Sequence, residues 1–202
     1  MNHNLTLKVN EIFYSLQGEG YNIGMPAIFI RLSGCNMNCS FCDTEFGDGK
    51  EMSVFKILEE IKQFDCPNIV WTGGEPTLQL HDGILNNFSE YYNCIETNGT
   101  NEIPFIIDYV AVSPKSLERL NPNLIANLRY KLSEVRCLFP SPFDLNTEKL
   151  PDADNYYISP IIIAQNPFNE ESQQNISDAI KFVKQNPVWK LSIQLHKLAG
   201  FK

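Results

Sequence analysis

The sequence predicts an α/β fold, an open or partial parallel β/α barrel with about six core strands and reduced helices. Three observations carry this. Apolar, β-rich runs alternate with stretches of helical periodicity, the pattern of a largely parallel sheet. Several of the runs lack a strict two-residue alternation, as expected of strands covered on both faces. The chain has 202 residues, short of the ~250 that eight βα units need, which disfavours a closed eight-fold barrel. One domain over residues 1–202 is expected, with a strand-and-turn extension at 1–26.

Taken in order, the extension holds EIFYSLQGEGYNIG within 9–25. Its alternating apolar residues followed by GEG read as a strand and a glycine-rich turn over the sheet edge, or as an ordinary hairpin. The first core strand is 27–32 (AIFIRL). Residues 53–64 (SVFKILEEIKQF) place Val54, Ile57, Leu58 and Ile61 on one helical stripe behind Ser53, a residue suited to an N-cap. Strands follow at 69–72 (IVWT), 94–97 (CIET), 105–112 (FIIDYVAV), 131–138 (KLSEVRCL), 156–163 (YYISPIII) and 191–195 (LSIQL). A weaker helix is read at 84–92, and a stronger one at 172–184, with Ile176, Ala179, Ile180 and Val183 on its stripe. The Pro- and Asp-rich segment 139–154 reads as a loop.

Composition narrows the function. Hydrophobic residues make up 43% of the chain, and 13 Phe, 8 Tyr and 2 Trp argue against disorder. No apolar run approaches the ~20 residues of a membrane span, and MNHNLTLKVN has no signal-peptide core, so a location in the cytoplasm is expected. The formal net charge is −8 and no dense Lys/Arg stripe exists, which disfavours nucleic acid as a partner and favours a small-molecule enzyme. Six cysteines without an export signal point to metal or redox chemistry rather than a disulfide framework.

Three of them, Cys35, Cys39 and Cys42, lie in GCNMNCSFCDT just after a strand. Thiolates at this spacing can converge on one metal centre if the backbone loops around it, and Gly34 gives that loop its freedom to begin. Zinc in a closed site would want a fourth ligand, for which His81 or His196 could serve. An iron–sulfur cube normally takes four thiolates, and three would leave one iron open for chemistry. Cys66, Cys94 and Cys137 stand in or beside apolar runs and read as buried free thiols.

CNMNCSFC resembles the CxxxCxxC motif of the radical S-adenosylmethionine superfamily. WTGGEP at 71–76, ETNGT at 96–100 and SPK at 113–115 match that superfamily in order. With YSLQGEG at 14–20, CDT at 42–44 and QLHK at 194–197, the chain from Glu11 to Lys197 resembles the 7-carboxy-7-deazaguanine synthases. A radical activase that makes a glycyl radical on a partner protein is the alternative, since YSLQGEG occurs there too.

The resemblance implies a fold of the radical S-adenosylmethionine type and a [4Fe–4S] cluster on Cys35, Cys39 and Cys42. S-adenosylmethionine would chelate the fourth iron and be contacted by Phe41, Cys42, Asp43, Gly73, Gly74, Glu75, Gly99, Ser113, Pro114, Lys115, Gln194, Leu195, His196 and Lys197. Glu75 suits the amino group of the cofactor as a hydrogen-bond acceptor, although GGEP could be a plain turn. Thr44 matches a magnesium-binding threonine; without the resemblance it would read as structural. The implied substrate is 6-carboxy-5,6,7,8-tetrahydropterin, met by Leu16, Gln17, Gly18, Arg31 and Thr97. Arg31 suits a carboxylate bidentately, or closes the strand edge in a charge pair. Some members end in proline and place the terminal carboxylate at the substrate; here Lys202 takes that position. The implied reaction is a radical ring contraction with loss of ammonia, a lyase reaction of queuosine and 7-deazapurine biosynthesis. A reducing donor such as flavodoxin and a homodimer are implied as partners.

Overall fold

The apolar runs become strands at or near their expected places. The structure, a computed structural model, describes residues 5–42, 47–125, 132–163 and 166–202. The chain divides into two compact units, Met1–Ser15 with Pro26–Val110 and Leu16–Met25 with Ala111–Lys202.

In the first unit β1 (Thr6–Leu16), β2 (Pro26–Leu32) and β3 (Lys50–Ser53) precede α1 (Val54–Ile61), β4 (Asn68–Gly73), α2 (Asp82–Leu85) and β5 (Tyr92–Thr97). The strand order is β3-β1-β2-β4-β5. β3 runs antiparallel to β1, whereas β2, β4 and β5 run parallel, with Ile28 beside Ile69 and Val70 beside Cys94. Ser53 caps α1 as expected, its hydroxyl accepting from the Lys56 amide. Val54, Ile57 and Ile61 are the buried stripe of that helix. Trp71 is fully buried edge-on to Phe88, with ring centroids 4.9 Å apart. Its indole N–H donates to Asn93 Oδ1 at 2.9 Å, so a large core residue leaves no polar atom unpaired.

β6 (Tyr109–Val112) lies where the chain passes from one unit to the other. The second unit continues through α3 (Pro122–Ile125), β7 (Leu132–Phe139), β8 (Ala153–Pro160), α4 (Glu170–Gln185), β9 (Trp189–Leu191) and α5 (Leu195–Ala199). Strands β6-β7-β8-β9 are consecutive and parallel. One face of β7 and β8 is apolar: Phe139 packs on Phe182 of α4, which meets Trp189. The other face carries Glu134, Arg136 and Ser159, all at most 8% exposed.

Several boundaries differ from expectation for physical reasons. Residues 105–108 are turn rather than strand, because Asp82 Oδ1 accepts from the amides of Phe105 and Ile106 and Phe105 is 70% exposed. The helix read at 84–92 is only α2 plus one 3₁₀ turn, since Tyr92 already pairs with Asn68 in the sheet. β8 begins three residues early, Ala153 pairing with Leu132, and 161–163 leave the sheet. β9 lies at 189–191, and Leu195 opens α5 instead of closing a strand. Among the described residues β2, β4 and β5 run parallel to one another, as do β6 to β9, where about six core strands were expected.

Candidate functional site

The cysteine loop leaves β2 through Gly34, whose φ of +88° only glycine adopts without strain. Cys35 and Cys39 are half-buried, Cys42 is exposed, and none of the three is in a disulfide. The amide of Met37 donates to Cys35 Sγ at 3.4 Å and that of Cys42 to the Cys39 carbonyl at 3.1 Å. The other three thiols are buried. Cys66 donates to the Pro26 carbonyl. Burial pushes the Cys137 thiol up to about 12, only partly opposed by the charge of Lys115. A thiol held protonated in this way is a poor metal ligand, which sets Cys137 apart from the cysteine loop. Among the described residues no three His, Cys, Asp or Glu side chains are gathered at metal-holding distance; the three cysteines share a loop without yet sharing a point.

The end of β4 closes against the start of this loop. Glu75 N–H donates to the Gly34 carbonyl at 2.8 Å, and Gly74 N–H to the Leu32 carbonyl at 3.1 Å. A Cβ on Gly74 would stand 2.0 Å from the Gly34 oxygen, and one on Gly73 2.1 Å from that of Leu32. Both glycines are therefore required by close backbone approach.

Glu75 is fully buried, and four donors converge on it. Oε1 accepts from the amide and hydroxyl of Thr77 and from the Thr97 hydroxyl at 2.6 Å; Oε2 accepts from the Asn98 amide at 2.7 Å. Thr97 also accepts from the amide of Gly99, a buried residue with φ of +76°. Asn98 Nδ2 donates to Asn36 Oδ1 at 3.0 Å, and Asn36 Nδ2 to Thr100 Oγ1 at 2.7 Å. The cysteine loop, the GGE turn and the TNGT turn are thus one hydrogen-bonded assembly. Sequence reasoning found its ends and missed Asn36 and Asn98; amides within two turn motifs were the available signal.

Arg31 donates through Nε to Glu11 at 2.8 Å and lies over the Phe13 ring, 5.8 Å from its centroid. The charge pair expected as its alternative is present. Phe41 is 37% exposed beside Cys42. Asp43 and Thr44 lie outside the described residues.

The second unit carries the remaining expected residues. Gln17, Gly18 and Gly20 are buried and Leu16 is exposed. Gln17 N–H donates to the Met25 carbonyl and Gly24 N–H to that of Gln17, both at 2.8 Å, closing the turn. Gly18 accepts from the Leu195 amide at 3.0 Å, and its missing Cβ would fall 2.3 Å from His196 Nδ1. Ser113 and Lys115 bond to one another at 2.7 Å around buried Pro114. Gln194 is buried, and Lys197 Nζ donates to the Ile162 carbonyl at 3.1 Å. Lys202 is exposed.

Beneath this turn lie residues no motif announced. Arg136 donates through Nε to Glu134 Oε1 at 2.9 Å, and Glu134 Oε2 accepts from the Tyr21 amide at 2.9 Å. Arg136 also stands 3.4 Å from Glu19, which accepts from the Ser159 hydroxyl. Burial, then the charge of Glu134, holds the Tyr157 phenol above its usual range. The signal was in KLSEVRCL: opposite charges two apart, between apolar residues, on one face of a strand.

Residues 29–124 match the model of the radical SAM superfamily. The chain is 38% identical to a 7-carboxy-7-deazaguanine synthase of Bacteroides thetaiotaomicron, over 96% of this chain and 98% of the relative. It is 40% identical to the enzyme of that name from Haemophilus influenzae, over 95% and 92%. The crystal structure of QueE from Escherichia coli superposes with a TM-score of 0.68 at 24% identity, covering 96% of each chain, a likeness of fold.

Proposed function

The chain belongs to the 7-carboxy-7-deazaguanine synthases of the radical S-adenosylmethionine superfamily, and from that membership we propose that it converts 6-carboxy-5,6,7,8-tetrahydropterin to 7-carboxy-7-deazaguanine with loss of ammonia. The observation that carries the reading is the loop of three reachable thiols hydrogen-bonded to the Gly-Gly-Glu turn. Membership brings a [4Fe–4S] cluster and S-adenosylmethionine, and the donor set fits them: accessible thiols beside a turn with no side chains to bar a cofactor. When bound, these groups supply the one-electron chemistry and hydrogen abstraction that begin the conversion.

The protein's own part is holding and orienting. Cys35, Cys39 and Cys42 hold the cluster. Gly73, Gly74 and Gly99 would admit the cofactor to the backbone, and Phe41 and Asp43 would meet its adenine, as the resemblance implies. Glu75 keeps Thr97 and Asn98 in place, and its Oε2, which accepts only from the Asn98 amide, has a second lone pair to offer the cofactor's amino group. Ser113, Pro114, Lys115 and Gln194 to Lys197 keep the cofactor contacts given them by resemblance. Arg31, with Nε spent on Glu11, turns its fork to the pterin carboxylate, and Leu16, Gln17, Gly18, Thr97 and Lys202 meet the substrate. Thr44 binds magnesium, tested by a magnesium titration of Thr44→Ala. A flavodoxin-type donor supplies the electron to a homodimer, tested by turnover with that donor and by sedimentation.

Anaerobic reconstitution followed by iron and sulfide analysis, then mass spectrometry after turnover with the pterin, tests the whole. Roughly four irons per chain, a product lighter by ammonia, and loss of the cluster in Cys39→Ala but not Cys94→Ala are expected. Intact pterin would overturn the reading, as would the activase outcome, a modified partner protein.

A further inference from the structure

The buried charges of the second unit are not among the residues proposed to touch cofactor or substrate. Glu134 is fully buried and Arg136 is 8% exposed, on a strand face otherwise suited to a core. Burying a charge is costly unless it is paired, so a pair kept on this face is accounted for by what it holds. Glu134 engages both oxygens. Oε1 takes the guanidinium of its own strand; Oε2 takes the backbone amide of Tyr21, in the turn that carries Gln17 and Gly18. Gly20 lies directly on the carboxylate, where a Cβ would come within 2.4 Å of both oxygens. Arg136 reaches on to Glu19 of the same turn.

We propose that Glu134 is a positioning residue for substrate: with Arg136 as its counter-charge, it fixes the backbone of residues 18–21 and so sets the place of Gln17 and Gly18 against the heterocycle. The inference rests on the pterin reading given above. The geometry separates it from a general packing role. The 192–197 segment has ties of its own, from the Ser192 amide to the Ile158 carbonyl, Ser159 Oγ to the Ser192 carbonyl and Lys197 Nζ to the Ile162 carbonyl. The turn is also bonded to that segment, Gly20 N–H donating to Ser192 Oγ and Gly18 accepting from the Leu195 amide, so loss of the Glu134 carboxylate loosens residues 19–21 while the segment keeps its own ties.

Glu134→Gln keeps the size and removes the charge; Gly20→Ala disturbs the same contact from the turn's side with both charges still present. In both reconstituted variants the pterin KM should rise at least tenfold. Iron content and S-adenosylmethionine affinity should stay within threefold of wild type, and kcat should fall less than KM rises. Hydrogen exchange on the cluster-free protein should show the Tyr21 amide losing protection in both. An unchanged KM in a folded variant, or a KM effect accompanied by equal loss of cofactor affinity and iron, would overturn the positioning role. If Glu134→Gln does not fold, Gly20→Ala decides by the same criteria. Wild-type protein that leaves the pterin untouched refutes the function proposed for the site; wild-type turnover with an unchanged variant KM refutes only the role of Glu134.

Discussion

Replacing Glu75 by Gln tests whether the first unit's turns are held as one assembly. The carboxylate accepts four hydrogen bonds, three on Oε1 and one on Oε2. A glutamine amide has one accepting oxygen. The least costly placement keeps that oxygen toward the three donors and points the NH₂ at the Asn98 amide. One charge-assisted bond, worth about 1.5–3 kcal/mol, is lost, and a buried donor then faces another donor. The total comes to about 2–4 kcal/mol, a large part of the roughly 5–15 kcal/mol that holds a domain folded. For a chain of this size that lowers the unfolding midpoint by roughly 4–16 °C. Urea and thermal denaturation of cluster-free protein measure it. A variant within 0.5 kcal/mol of wild type would show that Glu75 is not the hub its bonds suggest.

Three further outcomes follow from the geometry. Asn36→Ala removes the tie of the cysteine loop to Asn98 and Thr100; two bonds at about 1 kcal/mol each should speed iron loss to a chelator by roughly 5–30-fold, and an unchanged rate would place the hold elsewhere. Arg31→Lys keeps the charge but loses the planar fork, so pterin kcat/KM should fall roughly ten- to a hundredfold with iron content intact; normal turnover would leave Arg31 to its pair with Glu11. Below pH 9 the Cys137 thiol is protonated in both folded and unfolded chains and contributes no pH dependence. Above pH 9 the unfolded thiol ionises while the folded one keeps its proton up to about 12, so stability declines by up to about 1.4 kcal/mol per pH unit. Cys137→Ala should flatten that slope, and the same slope in the variant would assign it to other groups.

The sheet was legible in the sequence wherever burial and motif coincided. The IVWT strand ends in glycines because the chain there meets the carbonyls of Leu32 and Gly34, so pattern and contact carry the same information. Residues 105–108 misled, because their apolar letters resemble a strand while one distant carboxylate, that of Asp82, bends the backbone into turns. β3 has no apolar pattern to announce it; Lys50–Ser53 pairs with β1 through its backbone. The site shows the same division. Cysteines and glycines announce chemistry by spacing. Asn36 and Asn98 meet each other across 62 residues and Glu134 meets the Tyr21 amide across 113, contacts that no local window contains.

The second unit's turn also bears on the order in which the chain is made. Gly20 donates to Ser192, 172 positions later, and Gly18 accepts from Leu195. Residues 17–24 leave the ribosome long before their partners on β7, at 159 and at 192–195, and wait without those anchors until they follow. Contacts of such separation form late and slowly. During that interval the GEG turn exposes its amides, and a translational stall after residue 160 leaves it without Ser192 or Leu195. Synthesis speed through the codons for residues 160–195 therefore sets how long this segment is exposed to chaperones and proteases, a vulnerability carried by the topology itself.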